Sequence, residues 1–169
     1  KGETDFFETE YRLKSKKGDW LWFHDKGKVV ERNENGPQKM VGFINEISYI
    51  KQIENELYIN EKKYRSIFES VTDGVIIFDM NGYIVEANPQ ACSMHGYSHS
   101  EMIGLKGEDI VRKDYHDIFY NFIQKIGYEN YFSAEAIDIR KDGSNLDIEV
   151  KGSVLIFNEK KHFIAVIRD

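Results

Sequence analysis

The chain has 169 residues, of which 41% are hydrophobic and 31% charged, a composition typical of globular rather than disordered proteins. Its net charge of −6 argues against nucleic acid or an anionic membrane surface as a partner. The single cysteine excludes a disulfide framework and a cysteine-based zinc site, and no apolar run approaches the ~20 residues that cross a bilayer. We therefore expect no nucleic-acid partner, no direct membrane insertion and a cytoplasmic location.

An internal repeat organises the chain. Residues 10–19 and 135–144 each combine an alternating strand with a polar turn, and the turns place Gly18 and Gly143 where a positive φ is needed. Two further apolar strands follow in each copy, over 20–30 and 40–47 in the first and over 146–156 and 162–168 in the second. The pattern predicts the same three-stranded meander twice, and we expect both ends of the chain to continue into a longer protein.

Between the two copies, residues 48–68 show helical spacing. Written as heptads, Ile50, Leu57 and Tyr64 occupy one seam position, and the other holds Ile53, Asn60 and Ile67. This pattern fits an amphipathic helix that lies on its own domain, and it also fits a parallel coiled coil between two chains. Glu56 and Glu61 would repel each other across a parallel dimer, which weakens the second interpretation.

A compact α+β segment follows the helix. Two strands, 75–78 and 83–87, flank a hairpin turn, and Asn88-Pro89 then combines an N-cap residue with proline at the first helical position. Gly96 ends this short helix, and Ser98 with Glu101 forms a capping box for the next one. Residues 115–126 form the longest predicted helix of this segment, and the second meander completes the sheet.

This order of elements resembles the PAS sensor domain. The residues that carry the resemblance are Tyr64-Arg65-Ser66-Ile67-Phe68-Glu69-Ser70, Asp73-Gly74-Val75, Asp79-Met80-Asn81-Gly82, Asn88-Pro89-Gln90-Ala91, Met94-His95-Gly96-Tyr97-Ser98, Met102-Ile103-Gly104 and Arg140-Lys141-Asp142-Gly143-Ser144. Residues 8–50 look like the C-terminal part of a preceding PAS domain, the segment called a PAC motif. The match is specific for fold and uninformative about ligand.

The resemblance implies an α+β fold, with a five-stranded antiparallel sheet of order 2-1-5-4-3 and helices over one face. We expect a PAC segment at 1–47, a linker helix at 48–68 and a PAS domain at 69–169. Because the PAC segment lacks its own first strands and helices, we expect its apolar face to pack on another chain or on the linker helix.

A ligand pocket is expected between the helices and the sheet. Its predicted lining is apolar and consists of Ile77, Val85, Met94, Ile103, Ile110, Phe119, Phe122, Ile137, Ile148 and Ile164. Such a pocket could hold a small hydrophobic or carboxylate ligand, although aromatic-rich interiors are more often packed solid, and we favour one that is filled or narrowly open.

Few residues indicate chemistry. His95 and His99 are separated by Gly96 and the Ser98 cap, so they do not share a helical face as a metal pair would, and Cys92 needs no role beyond core packing. The flavin-binding photosensory branch is disfavoured because Gly107-Glu108-Asp109-Ile110 stands where that branch needs a cysteine motif. His116, near the start of the long helix, resembles the haem ligand of oxygen-sensing PAS domains, so haem is an alternative cofactor; a partly exposed, structural histidine is the simpler interpretation.

The resemblance implies a non-enzymatic sensory module. It would bind a small ligand or mediate dimerisation, and relay the signal through its flanking helices to an effector domain in the same chain. The effector would be a histidine kinase or a cyclic-nucleotide enzyme, in a sensor that could be anchored in a membrane. A homodimer through the linker helix and the PAC segment is the expected assembly, and a haem gas or redox sensor using His116 is the alternative function.

Overall fold

The computed structural model describes residues 6–129, 131–157 and 159–169, and the chain divides into two compact units between Lys63 and Tyr64. The first unit contains an antiparallel sheet of three strands in the order β1 (Phe6–Lys14), β2 (Trp20–Asn33) and β3 (Gly36–Glu46). Gly18 turns the chain between β1 and β2 with a φ of 100°. The first predicted meander is confirmed.

A 23-residue helix, α1 (Ser48–Ser70), follows the sheet. Its start is fixed to β2, because the hydroxyl of Ser48 accepts a hydrogen bond from the Trp22 N–H at 2.9 Å. Lys51 adds an ion pair with Glu10 at 2.8 Å. No residue of α1 is buried, and its seam residues Ile50, Ile53, Leu57, Tyr64 and Ile67 are all exposed. Both interpretations of this helix, on its own domain or in a coiled coil, stay predictions.

The apolar residues of the three-stranded sheet are also largely exposed. Within the described part of this unit only Gly27 and Ile47 are buried. Large apolar side chains remain in contact with solvent on all three strands, including Phe6, Phe7, Leu13, Trp20, Met40, Val41, Phe43 and Ile44. The expectation that this surface packs on another chain or on the linker helix stays a prediction.

The second unit contains an antiparallel five-stranded sheet of order β5-β4-β8-β7-β6. Its strands are β4 (Gly74–Phe78), β5 (Ile84–Ala87), β6 (Tyr131–Ile139), β7 (Asn145–Phe157) and β8 (Lys160–Arg168). Counted from β4 as the first strand, this is the order that the resemblance implies. The meander β6-β7-β8 confirms the second copy of the repeat, with Gly143 at a φ of 83° in its first turn.

Four helices lie between β5 and β6: α2 (Pro89–His95), α3 (His99–Met102), α4 (Gly107–Ile110) and α5 (His116–Glu129). A single 3-10 turn precedes α5 at Lys113–Tyr115. The predicted caps of α2 are confirmed, since the side chain of Asn88 accepts from the Ala91 N–H and Gly96 ends the helix in the left-handed conformation. The core lies between these helices and one face of the sheet. None of the helices in the described residues is both long and apolar enough to span a membrane.

Glu101 joins α3 to the turn between β6 and β7. Its carboxylate accepts hydrogen bonds from the backbone N–H and the hydroxyl of Ser98, and it pairs with Lys141 at 2.6 Å. These contacts lower the pKa of Glu101 to about 2. The pairing with Lys141 has the largest effect, and the two hydrogen bonds from Ser98 follow.

The pKa of Glu101 predicts an acid-dependent loss of stability. Because the folded state lowers this pKa, the stabilisation is fully present above the ordinary glutamate pKa of about 4.3 and is lost as the pH falls towards about 2. At about pH 6, Glu101→Gln should therefore unfold at a lower urea concentration than the wild type. At about pH 2 the two urea midpoints should converge. A difference that is the same at both pH values would contradict the prediction.

Candidate functional site

An apolar cavity of about 40 Å³ lies between the sheet and the α4–α5 segment of the second unit. This volume is room for about three water-sized groups. Among the described residues, the lining comprises Phe78, Ile110, Val111, Tyr115, Ile118, Phe119, Phe132, Ala136, Asp138, Ile148, Val150, Ala165 and Ile167. The space between the helices and the sheet is thus small.

Two short side chains on the sheet leave room for the cavity. Ala136 on β6 and Ala165 on β8 face the cavity, and Ala136 lies opposite Ile148 of β7 in the strand register. On the helical side, the ring of Phe119 packs closely against the backbone of Gly107 at the start of α4. A Cβ atom on residue 107 would overlap this ring and would lie 3.0 Å from Cε1 of Phe78, so only glycine fits without a shift. Phe78 and Phe119 meet edge to face, with ring centroids 5.9 Å apart.

Gly107→Ala is expected to destabilise the second unit by about 2 kcal/mol, since an added methyl group must displace a packed aromatic ring. Chemical denaturation measures the loss. Phe119→Leu shortens the group that the methyl group would meet, so the double variant Gly107→Ala/Phe119→Leu should lose less stability than the two single variants together. Fully additive losses would contradict this account of Gly107.

A buried histidine–carboxylate pair borders the cavity. His95 is fully buried in the last turn of α2, and its Nε2 atom lies 2.9 Å from Oδ2 of Asp138 on β6. Its Nδ1 atom lies 2.9 Å from the backbone oxygen of Ala91, one turn earlier in α2. The Arg140 guanidinium and the Lys141 N–H also bond backbone oxygens at the end of α2, so this helix end is attached to β6 and the turn that follows it.

Asp138 is only 2% exposed and is the one charged side chain among the described lining residues. Burial raises the pKa of Asp138, and the hydrogen bond and charge of His95 act in the opposite direction. Its Oδ1 atom has no hydrogen-bond partner among the described residues. A buried acceptor without a partner costs free energy, so this oxygen offsets part of the stabilisation that the pair provides.

Comparison with known proteins agrees with this architecture. Residues 62–134 match a family model described as "PAS domain", and residues 1–44 match one described as "PAS fold". The structure is similar to the crystal structure of the PAS domain of an HTR-like protein from Haloarcula marismortui, with a TM-score of 0.64 and 25% identity over 70% of this chain and 98% of that one. The chain belongs to the PAS family.

Two curated relatives are signalling proteins. The chain is 28% identical over 119 residues to the methyl sulfide methyltransferase-associated sensor of Methanosarcina acetivorans, a match that covers 70% of this chain. It is 30% identical over 78 residues, 44% of the chain, to sporulation kinase E of Bacillus subtilis. The matches span only 12% and 11% of these two proteins. PAS domains are sensor modules of such proteins, and the chain shares this character.

The structure corrects part of the predicted lining of the PAS cavity. Ile110, Phe119 and Ile148 line it. Met94 and Ile103 pack against the core without lining the cavity, and the side chain of Phe122 lies outside the described residues.

Four strand residues were predicted to face the cavity and do not: Ile77, Val85, Ile137 and Ile164. Each is one position away from a residue of the core or the lining: Ile76, Ile84, Asp138 and Ala165, respectively. Because successive strand residues point to opposite faces, an error of one position moves a side chain to the other side of the sheet.

His116, the predicted haem ligand, lies outside the cavity lining. Its Nε2 atom is 3.0 Å from the backbone oxygen of Val111, and its ring meets Tyr120 edge to face. A cavity of about 40 Å³ is also far below the ~300 Å³ at which pockets for larger ligands begin. These residues do not fit haem.

The two histidines considered as a metal pair have different partners. His95 bonds Asp138 inside the core, whereas His99 bonds Glu86 at 2.7 Å and is exposed. In the described part of the chain, no group of three or more His, Cys, Asp and Glu side chains is placed to hold a metal ion. Cys92 is buried, and burial raises the pKa of its thiol.

Proposed function

We propose that residues 69–169 form a sensory PAS domain that binds a small ligand in its cavity and relays the signal through α1 to an effector such as a histidine kinase. Residues 1–47 are then the PAC part of a preceding PAS domain, and α1 is the linker. The relatives named as a sensor and a kinase support an effector in the same chain.

The attachment of α1 to the core through Asn88 carries this proposal. The Asn88 side chain is fully buried, and its Nδ2 donates to the backbone oxygens of Phe68, in the last turns of α1, and Asp73. Its Oδ1 accepts from the N–H groups of Val75 and Ala91 at 2.8 Å each. One side chain therefore joins the end of α1 to β4 and α2.

A second link involves the end of β8. The Arg168 guanidinium donates two hydrogen bonds to the Asp73 carboxylate, at 2.7 and 3.2 Å, and it lowers the pKa of Asp73. Asp73 lies just before β4, so the segment that leaves α1 is bonded to the last strand of the sheet. A shift in the packing of β4 or α2 would reach both α1 and β8, as a relay requires.

Xenon tests the relay, because it enters dry apolar cavities. NMR spectra of the 169-residue chain under xenon should show shifted methyl signals for Ile148 and altered amide exchange for residues 66–70 of α1. In Asn88→Asp, which keeps the acceptor oxygen Oδ1 and loses the N–H donors to Phe68 and Asp73, the methyl shifts should persist while the change in α1 is lost. Xenon entry without any response in α1 would contradict the relay.

A homodimer through α1 is the second element of the proposal. It is supported by the exposed apolar seam, since burial of such residues is the main force that joins helices in water. Sedimentation equilibrium should show a dimer that Leu57→Glu disrupts. Asn55→Glu places the same charge outside the seam and should leave the dimer intact, and a wild-type chain that is monomeric at high concentration would contradict this element.

A further inference from the structure

A groove lies beside the end of α1, between residues 64–69 of this helix and residues 86–99 of β5, α2 and the start of α3. Its described lining belongs entirely to the second unit and shares no residue with the PAS cavity. The volume of this α1 groove is about 570 Å³, within the range of about 300–1,000 Å³ that is usual for small-molecule sites. It therefore has room for molecules that the PAS cavity cannot hold.

The α1 side of the groove is aromatic. The rings of Tyr64 and Phe68, one helical turn apart, are stacked with their centroids 5.6 Å apart and their planes 16° from parallel. Tyr64 is 54% exposed. The ring of Tyr97 also lines the groove, but Nζ of Lys141 already lies 5.8 Å from its centroid. The Tyr64–Phe68 stack is thus the aromatic surface that a flat apolar group or an ammonium group can contact.

A fixed carboxylate lies on the β5 side of the groove. Oε1 of Glu86 accepts hydrogen bonds from Nε2 of His99 at 2.7 Å and from the Ala87 N–H at 3.2 Å. These two bonds hold the carboxylate in place, and its side chain remains 42% exposed. A molecule in the groove can therefore reach it.

The charge of Glu86 acts on both helices that border the groove. Burial raises the pKa of the Tyr64 hydroxyl on α1 and of the Cys92 thiol on α2, and the negative charge of Glu86 adds to both increases. The other fully charged lining residues are Glu69 and Arg65, so carboxylates outnumber guanidinium groups in the described lining. The groove is therefore complementary to a positive charge.

We propose that the α1 groove is a second ligand site, which binds an organic cation with an aromatic body: its ammonium group pairs with Glu86, and its ring packs on the Tyr64–Phe68 stack. This site goes beyond the proposed function, because it is separate from the PAS cavity. The groove includes Phe68 of α1 and Pro89 of α2, the two elements that Asn88 joins, so a bound molecule would hold α1 against the core.

Titration of the isotope-labelled 169-residue chain with benzylammonium tests the inference. The methyl signal of Ala87 and the ring signals of Tyr64 should shift and saturate, with a Kd on the order of 1 mM for a ligand of this size. Amide exchange of residues 66–70 should slow at the same time. The methyl signal of Ile148 should not respond, because the PAS cavity of about 40 Å³ cannot hold an aromatic ring.

Two further compounds isolate the contribution of the positive charge. Benzyl alcohol has the same number of heavy atoms as benzylammonium and no charge, and it should bind about tenfold more weakly, since it lacks the ion pair and the cation–π contact. Benzoate carries a negative charge and should cause no saturable shift. Neither comparison depends on a substitution that could unfold the chain.

Two substitutions in the groove locate the site, each with a matched control. Glu86→Gln can still accept from His99 but lacks the charge, and it should weaken benzylammonium binding by about fivefold; Glu135→Gln removes an exposed carboxylate outside the groove and should leave the Kd unchanged. Tyr64→Leu keeps an apolar residue in the seam and should also weaken binding by about fivefold. Tyr58→Leu removes an exposed tyrosine of α1 outside the groove and should have no effect.

The inference is overturned if benzylammonium fails to bind, binds no better than benzyl alcohol, or binds Glu86→Gln as tightly as the wild type. Saturable shifts that occur only in Leu57→Glu would show that a second copy of the chain fills the groove in the dimer, and they would overturn it as well. Xenon entry with a response in α1 would still uphold the proposed relay in each of these cases, because the two cavities share no described lining residue.

Discussion

His95→Leu is expected to destabilise the second unit by about 3–5 kcal/mol, because it leaves both oxygens of a buried carboxylate without partners. Asp138→Leu should be similarly costly, since it removes the partner of Nε2 of a fully buried imidazole. The double variant His95→Leu/Asp138→Leu replaces the pair by apolar groups and should recover most of the loss, with a coupling of at least about 2 kcal/mol.

Chemical denaturation of the four proteins in this cycle measures the coupling. His99→Gln is a matched control, because His99 also bonds a carboxylate, that of Glu86, but at an exposed position; it should change the stability by no more than about 1 kcal/mol. If the losses of the two single variants simply add in the double variant, the pair is not the structural unit described here.

Asn88→Ala is expected to cost about 3 kcal/mol. It removes the N-cap of α2, leaves the N–H of Val75 without its acceptor inside the core and releases the backbone oxygens of Phe68 and Asp73. Asn88→Asp keeps both accepted bonds but turns a carboxylate oxygen towards the backbone oxygens of Phe68 and Asp73 at a fully buried position, so it should cost at least as much, about 3–5 kcal/mol.

Urea denaturation and amide hydrogen exchange measure these two effects. Asn81→Ala is the control, because Asn81 is an exposed asparagine of the hairpin turn whose side chain donates one long hydrogen bond, of 3.4 Å, to Asp79. It should change the stability by no more than about 0.5 kcal/mol. An Asn88→Ala variant as stable as this control would show that the four bonds of Asn88 do not hold the junction.

Much of the fold could be predicted from short-range patterns. Gly18 and Gly143 sit at positive φ in the two matching turns, and Asn88-Pro89 begins α2 as its capping chemistry predicts. These features depend on residues close together in the chain, whose preferences act locally. The heptad spacing of α1 likewise predicted its apolar seam, although the absence of buried residues in this helix could not be read from it.

The orientation of the strands was harder to predict. Four consecutive residues of β4, Val75 to Phe78, are apolar and buried, so alternation cannot indicate which of them face the helices. On β6 the apolar pattern favoured Ile137, whereas the inward position belongs to its charged neighbour Asp138. The burial of Asp138 depends on His95, 43 residues earlier in the chain, and such a pairing only becomes visible when the fold is known.

The two alanines that line the cavity have a consequence for how such domains diverge. Ala136 and Ala165 lie on β6 and β8, and neither takes part in the His95–Asp138 pair. Adding or removing single methyl groups at the two alanines would change the size of molecule that fits, while the acceptor oxygen and the backbone pairing stay the same. The size of molecule that fits the cavity can therefore change at these positions while the His95–Asp138 pair stays intact.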